Sequence, residues 1–169
     1  FTAVHRILTV VFNITVIGLV CLVGCQRLPT APADISPAAI HGITLVDWSP
    51  TGYSKTIADS ALKTIATIGA THVVILVTAY QSNRTSNDVH IDNARTPTFA
   101  SVRTALTRGV SLGLKVVVKP HVDLADGTWR GFIDPSDPAA WFESYQQFLG
   151  PLVSLAESVG AGQFVIGTE

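Results

Sequence analysis

Three glycines at similar intervals give the strongest constraint on how this chain can fold. Gly69, Gly113 and Gly160 stand 44 and 47 residues apart, and each follows a stretch of helical periodicity and precedes an apolar run. A glycine just past the last periodic residue is typical of the end of a helix. From about residue 41 onward, the sequence therefore predicts a βαβαβαβ series.

Four apolar runs, at residues 42–48, 71–79, 114–122 and 162–169, are the predicted strands. Runs that are apolar on both faces are typical of parallel strands in an open doubly wound sheet or a closed (β/α)8 barrel. No Gly-x-Gly-x-x-Gly follows any of them, which argues against a dinucleotide-binding sheet. Because a complete barrel needs about 250 residues, we predict an α/β fold that is the first half of a (β/α)8 TIM barrel, truncated after strand 4.

Three helices are predicted between these strands, at residues 54–68, 98–112 and 137–159. In the third, Asp137 is expected to cap the N-terminus and Pro138 to occupy the first turn, where its missing N–H is not needed. The predicted buried faces are Ile57, Ala61, Leu62, Ile65 and Ile68 in the first helix, Phe99, Val102, Leu106 and Val110 in the second, and Trp141, Tyr145, Phe148, Leu152, Leu155 and Val159 in the third.

The N-terminus carries a different signal. Residues 7–24 are almost wholly apolar and follow Arg6, which is typical of a secretory signal. Residues 22–25, Leu-Val-Gly-Cys, resemble the lipobox of bacterial lipoproteins, in which cleavage precedes the cysteine and its thiol is diacylated. We expect residues 1–24 to be a lipoprotein signal peptide and Cys25 to be lipidated. The alternative is a plain transmembrane anchor, because the run is close to the ~20 residues that span a bilayer.

This organisation predicts a domain outside the cytoplasm, cell-surface or periplasmic, anchored to a bacterial membrane through the lipid on Cys25. Residues 25–40 are rich in proline and are expected to be a tether, followed by the barrel domain at residues 41–169. Cys21 falls inside the signal, so the mature chain would have no cysteine pair for a disulfide or a metal site. With 11 Lys and Arg against 12 Asp and Glu and no adjacent basic residues, nucleic acid is not a predicted partner.

Polar side chains are predicted at the carboxyl ends of all four strands, which is where barrel enzymes build their active sites. They are Asp47 and Trp48 after the first strand, Tyr80 and Gln81 after the second, Lys119, His121 and Asp123 at the third, and Thr168 and Glu169 at the fourth. The polar residues 82–97 are expected to form a functional loop over this end of the sheet.

Three segments resemble glycoside hydrolase family 113, β-mannanase-like enzymes of the large retaining clan with (β/α)8 barrels. They are Lys119-Pro-His-Val-Asp123, Gly127-Thr-Trp-Arg-Gly131 and Ile166-Gly-Thr-Glu169, and the resemblance covers residues 41–169. It implies that Glu169 is the general acid/base at the end of strand four. It also implies a nucleophilic glutamate at the end of strand seven, which this chain lacks, so the fragment alone is expected to be inactive. The clan usually has Asn where this chain has Thr168.

The remaining rim residues are candidates for substrate binding. Flat aromatic rings can stack on pyranose rings or simply pack a loop. His121 and Asp123 could bind sugar hydroxyls or orient Glu169, and Arg130 could pair with Asp123 or Asp134 to fix the loop. The substrate-binding candidates are Trp48, Tyr80, Lys119, His121, Asp123, Trp129 and Arg130.

We therefore predict a retaining glycoside hydrolase that acts on a β-linked polysaccharide or oligosaccharide such as β-1,4-mannan, without a cofactor. One alternative is a non-catalytic polysaccharide-binding surface lipoprotein on a barrel scaffold. Another is a metal-dependent barrel hydrolase that uses Asp47, His121, Asp123 and Glu169. No His-x-His ends the first strand, which disfavours the metal-dependent alternative.

Overall fold

A computed structural model of the chain describes residues 39–167. The predicted signal peptide, nearly all of the tether with Cys25, and the last two residues, Thr168 and Glu169, lie outside this range. Within it, no helix combines the length and the apolarity needed to cross a membrane.

The described chain alternates strands with helices. The strands are β1 (Gly42–Leu45), β2 (His72–Gln81), β3 (Lys115–Leu124) and β4 (Gln163–Phe164), and the helices are α1 (Thr56–Thr67), α2 (Phe99–Ser111) and α3 (Pro138–Ser158). Short 3₁₀ turns lie at Gly52–Ser54 and Arg130–Phe132. The four strands pair in parallel in the order β1-β2-β3-β4. The predicted fold, the first half of a (β/α)8 barrel, is confirmed.

The strands differ in length from the predicted runs. β1 ends at Leu45, short of the predicted residue 48, because the side chain of Asp47 accepts hydrogen bonds from the Ser49 amide and hydroxyl and turns the chain. β2 and β3 each run two residues beyond the prediction, to Gln81 and Leu124. β4 covers only two residues of its predicted run, and in the described part of the chain it has a strand neighbour on one side only.

The first two helices pack through faces that differ from the prediction. Ile57 and Ile68 are 75% and 64% exposed, and Val110 is 42% exposed, so their assignment to the core was wrong. The buried residues are Ala58, Leu62 and Ile65 in α1, and Ser101, Val102, Ala105, Leu106 and Gly109 in α2.

Gly109 shows why the buried face of α2 is rotated away from Val110. A Cβ added at Gly109 would lie 2.9 Å from the Val116 side chain on β3. The missing side chain lets the helix backbone come close to the sheet, and this approach turns Val110 towards solvent.

The third helix follows the sequence prediction closely. The side chain of Asp137 accepts hydrogen bonds from the amides of Ala139 and Ala140, at 3.0 and 3.1 Å, and Pro138 occupies the first turn. Trp141 is buried, as predicted, and its indole N–H donates to the buried Oε1 of Gln81 at 2.7 Å. The predicted glycines Gly69, Gly113 and Gly160 all follow helices with positive φ, at 85°, 79° and 70°.

Candidate functional site

The C-terminal halves of β2 and β3 carry four of the predicted site residues on one face of the sheet. The strand register places Leu76 beside Lys119, Thr78 beside His121 and Tyr80 beside Asp123. The alternate residues of β2, Val73, Ile75, Val77 and Ala79, belong to the core packed against the helices. Because side chains alternate along a strand, Tyr80, Lys119, His121 and Asp123 share the opposite face, which is the interior face of a barrel.

Asp123 is the centre of the polar contacts on this face. Nη1 of Arg130 donates to Oδ1 of Asp123 at 2.8 Å, and Nε2 of His121 lies 3.6 Å from the same oxygen. Both members of the Arg130–Asp123 pair are partly buried. Of the two partners predicted for Arg130, the structure shows Asp123. Asp134 instead pairs with Arg84, at 2.9 Å.

The ring of Tyr80 supports a residue that the sequence analysis missed. The Cζ atom of Arg95 lies 3.9 Å from the ring centroid of Tyr80, and Nε and Nη2 of Arg95 donate to Oδ2 of Asp92 at 2.9 and 2.7 Å. These hydrogen bonds from Arg95 hold the pKa of Asp92 below its usual value, and the carboxylate in turn raises the pKa of Arg95. Burial raises the pKa of Tyr80, and the adjacent guanidinium opposes that shift. The guanidinium of Arg95 is therefore fixed between a carboxylate and an aromatic face.

Two contacts along the edge of β2 hold the loop that carries Arg95. Beyond the end of β1, Tyr80 exchanges both backbone hydrogen bonds with His90, at 2.8 and 2.9 Å. The hydroxyl of Thr96 donates to the carbonyl of Thr78 at 2.9 Å. Residues 82–98 therefore fold back along the edge of β2 that β1 leaves unpaired.

Tyr53 forms hydrogen bonds along the same edge of β2, nearer to the N-terminal end of the strand. Its hydroxyl lies 2.7 Å from the carbonyl oxygen of Leu76 and 3.0 Å from that of Leu45, so it joins the end of β1 to β2. Burial is the main cause that raises the pKa of Tyr53, with the Asp47 carboxylate adding to it. The hydroxyl therefore stays protonated as a donor at neutral pH.

The loop is also attached to the segment that leads into α3. The amide of Asp134 donates to the carbonyl of Arg84 at 2.8 Å, and the amide of Asp137 donates to the side chain of Asn87 at 2.8 Å. The hydroxyl of Ser144 on α3 bonds both backbone groups of Val89. Contacts on two sides thus fix the position of Arg95.

A cavity of about 390 Å³ lies at the ends of β2 and β3. It is lined by Tyr80, Arg95, Asp123, Leu124, Gly127, Thr128, Trp129 and Arg130. A larger cavity, of about 610 Å³, lies at the amino end of β1, between Ile40 and Ala70. Because barrel enzymes bind substrates at the carboxyl ends of their strands, the smaller cavity is the candidate site.

The other predicted site residues are placed differently. Trp48 is 55% exposed and does not line this cavity. Asp47 is engaged in its turn with Ser49. Within residues 39–167, no three side chains of the His, Cys, Asp and Glu types are grouped so as to hold a metal ion. Cys25 and Glu169 lie outside the described range.

Comparisons with known proteins agree with the architecture. The sequence model of Glycoside Hydrolase Family 113 matches residues 45–169. A search of curated proteins found no match.

The chain is similar to several solved structures. One is a complex of a GH113 β-1,4-mannanase, with 28% identity and a TM-score of 0.67 over 76% of this chain and 45% of that one. Another structure of a GH113 β-1,4-mannanase has 28% identity and a TM-score of 0.68, over 77% and 45%. The GH113 β-mannanase AaManA from Alicyclobacillus acidocaldarius, in complex with ManMIm, has 24% identity and a TM-score of 0.71, over 77% and 44%. The chain thus spans less than half the length of each of these proteins.

Proposed function

The chain belongs to glycoside hydrolase family 113, and from this membership we propose that the full-length protein hydrolyses β-1,4-mannan or a related β-linked polysaccharide or oligosaccharide with retention of configuration. The observation that carries the proposal is the family match across residues 45–169. Solved relatives at 28% identity are β-1,4-mannanases. The polar face at the ends of β2 and β3 supports a site at this rim.

Glu169 is proposed as the general acid/base. Its support is the sequence: Ile166-Gly-Thr-Glu169 resembles the strand-four segment of the family, and the family match includes this residue. In the described part of this strand, Gln163 pairs beside Val117, whose position alternates with the core residues Val116 and Val118.

The proposed reaction uses two carboxyl groups. Glu169, protonated, donates its proton to the glycosidic oxygen while a second carboxylate attacks the anomeric carbon, and the bond to the leaving sugar breaks. Glu169, now ionised, then takes a proton from water, which attacks the anomeric carbon and releases the second carboxylate. In retaining enzymes the two groups lie ~5 to 5.5 Å apart. The second carboxylate is proposed to be a glutamate on strand seven, outside this chain.

The described side chains are proposed to bind the sugar during this reaction. Asp123, held by Arg130, presents a carboxylate that can accept hydrogen bonds from sugar hydroxyls. His121 and Lys119 stand on the same face and can contact the sugar or Glu169. Tyr80 and Trp129 line the cavity. Trp48, from the end of β1, is proposed to contact the substrate at another point of the rim.

A substitution of Glu169 tests the proposal. In the full-length protein, Glu169→Gln should lower kcat/KM for mannohexaose by about 10²- to 10⁴-fold, the range typical of general acid–base catalysis. The loss should be much smaller for an aryl mannoside whose leaving group needs no proton. Glu143→Gln, an exposed position on α3, is the matched control and should keep the wild-type rate. Wild-type hydrolysis of mannohexaose by Glu169→Gln would refute the assignment.

The location of the protein is a further part of the proposal. Its support is the sequence alone: the apolar run at residues 7–24 and the lipobox-like segment that ends at Cys25. A lipid on Cys25 would hold the enzyme at the outside of a bacterial membrane, with residues 25–40 as the tether. That position suits an enzyme whose substrate is a polymer too large to cross the membrane.

A further inference from the structure

Trp129 is held in one orientation although most of its surface is open. It is 63% exposed. Its ring makes an edge contact with Phe132, with the ring centroids 5.4 Å apart and the planes at 89°. The six-membered part of the indole lies against Gly131, where an added Cβ would overlap with three ring carbons. An exposed aromatic ring fixed in this way offers a preformed flat apolar surface on which a sugar ring can stack.

The cavity beside Trp129 contains hydrogen-bonding groups that are already oriented. Arg95 is fixed by Asp92 and by the ring of Tyr80, and Asp123 is fixed by Arg130. Each guanidinium of the lining is paired with a carboxylate, Arg130 with Asp123 in the lining and Arg95 with Asp92 behind it, so the four charges balance. A charged ligand gains little from such a balanced set. A neutral ligand with many hydroxyl groups can use both the donors and the acceptors.

We propose that this cavity is a sugar subsite in which Arg95 is a specificity-determining residue. A pyranose ring stacks on Trp129, while its hydroxyls accept hydrogen bonds from Arg95 and donate to Asp123. Phe132 and Gly131 are positioning residues that act through Trp129. The proposal rests on the proposed function for the substrate class, a β-linked polysaccharide, and it adds Arg95, Phe132 and Gly131 to the binding machinery.

Preorganisation explains why these groups suit a sugar. Ordering a long side chain on binding costs free energy, and the cost is smaller when the side chain is already held. Two donors of Arg95 already bind Asp92, and the ring of Trp129 is held in place by Phe132 and Gly131. The subsite therefore loses little conformational entropy when a sugar enters.

The stacking surface is tested by binding of mannohexaose to the full-length protein in the Glu169→Gln background, measured by titration calorimetry. Trp129→Ala should raise Kd by about tenfold, because it removes the stacking surface. Gly131→Ala should raise Kd in the same direction, because the new methyl group displaces the ring while the indole itself remains. The backbone of Gly131 does not have the positive φ that would make alanine strained.

Two matched controls separate this effect from general damage. Phe142 is 64% exposed and makes the same kind of perpendicular contact with Trp141, at 5.1 Å, but it does not line the cavity. Phe142→Ala should leave Kd unchanged. Gly150 on α3 has open space around its Cα, and Gly150→Ala should also leave Kd unchanged.

The polar side of the subsite is tested on Arg95. Arg95→Ala should raise Kd for mannohexaose by about tenfold, as expected for loss of charge-assisted hydrogen bonds. Arg95→Lys keeps a cation near Tyr80 but not the two-pronged bond to Asp92, and it should also bind more weakly. Arg84→Ala is the control, because Arg84 lies on the same loop and has an ion pair with Asp134.

The outcomes distinguish this proposal from the proposed function. Unchanged Kd values for both Trp129→Ala and Arg95→Ala would overturn the subsite even if the enzyme hydrolyses mannan. An unchanged Kd for Arg95→Ala alone would remove Arg95 from it and would also overturn the proposal. Tight binding of cello- or xylohexaose instead of mannohexaose, still dependent on Trp129 and Arg95, would support the subsite and refute mannan as the substrate.

Discussion

The hydroxyl of Tyr53 offers a direct measure of how the sheet is held together where β1 ends. Tyr53→Phe removes one oxygen from a buried side chain and leaves the ring in place. The hydroxyl lies within donating distance of two carbonyl oxygens, of Leu45 at 3.0 Å and of Leu76 at 2.7 Å.

The expected loss follows from these two contacts. A hydrogen bond between uncharged groups contributes about 0.5 to 1.5 kcal/mol to stability, and a buried acceptor left unpaired costs about 1 to 3 kcal/mol. The hydroxyl has a single hydrogen, so it donates one full bond at a time. We expect Tyr53→Phe to lower the free energy of unfolding by about 2 kcal/mol.

Urea denaturation of the full-length protein measures this change. The urea midpoint should fall, while the dependence of the unfolding free energy on urea concentration stays the same, because unfolding exposes the same surface area in both proteins. Tyr145→Phe is the matched control: Tyr145 is also buried, but its hydroxyl lies 3.4 Å from the carbonyl oxygen of Ile166, a weak contact. It should cost less than about 0.5 kcal/mol. Equal losses for the two variants would refute the reasoning.

Two further predictions concern the loop and the N-terminus. The pKa of Asp92 is depressed by Arg95, so the stability it contributes is present above the unfolded-state pKa near 4 and is lost as pH falls through the lower folded-state pKa; urea midpoints of Asp92→Asn and wild type should differ at pH 7 and approach each other as the pH falls below about 4, and a difference independent of pH would contradict this. Cys25→Ser should abolish incorporation of radiolabelled fatty acid in a bacterial host while Cys21→Ser preserves it, and continued labelling of Cys25→Ser would refute lipidation at that residue.

The sequence predicted the parts of the fold that depend on local periodicity. The parallel arrangement of the predicted strands was enough to put Tyr80, His121 and Asp123 at the same end of the sheet, and the spacing of Trp141 and Tyr145 defined the buried face of α3. In α1, two overlapping faces share Ile65. Sequence alone could not choose between the one through Ile57 and the one through Ala58.

The part of the site that could not be predicted depends on contacts between distant segments. Arg95 reaches Tyr80 only because His90 pairs with the edge of β2 and because Asp134 and Asp137 bind the same loop. The orientation of Trp129 depends on the absence of a side chain at Gly131. The spacing of Asp92 and Arg95, three residues apart, was a visible signal, but it did not indicate which ring the guanidinium would cover.

The unequal heights of the strands have a consequence for engineering. The last pair between β1 and β2 is Leu45 with Ile75, and β2 continues to Gln81, six residues further. At about 3.3 Å per residue, β2 rises ~20 Å above that point. On β2 the odd-numbered residues pack against the helices and the even-numbered ones lie on the opposite face. On β3 the parity is reversed, so His121 and Asp123 share the face of Thr78 and Tyr80. Under the proposed function, a combinatorial library confined to positions 78, 80, 121 and 123 is therefore expected to change the sugar preference while the residues that pack against the helices stay the same.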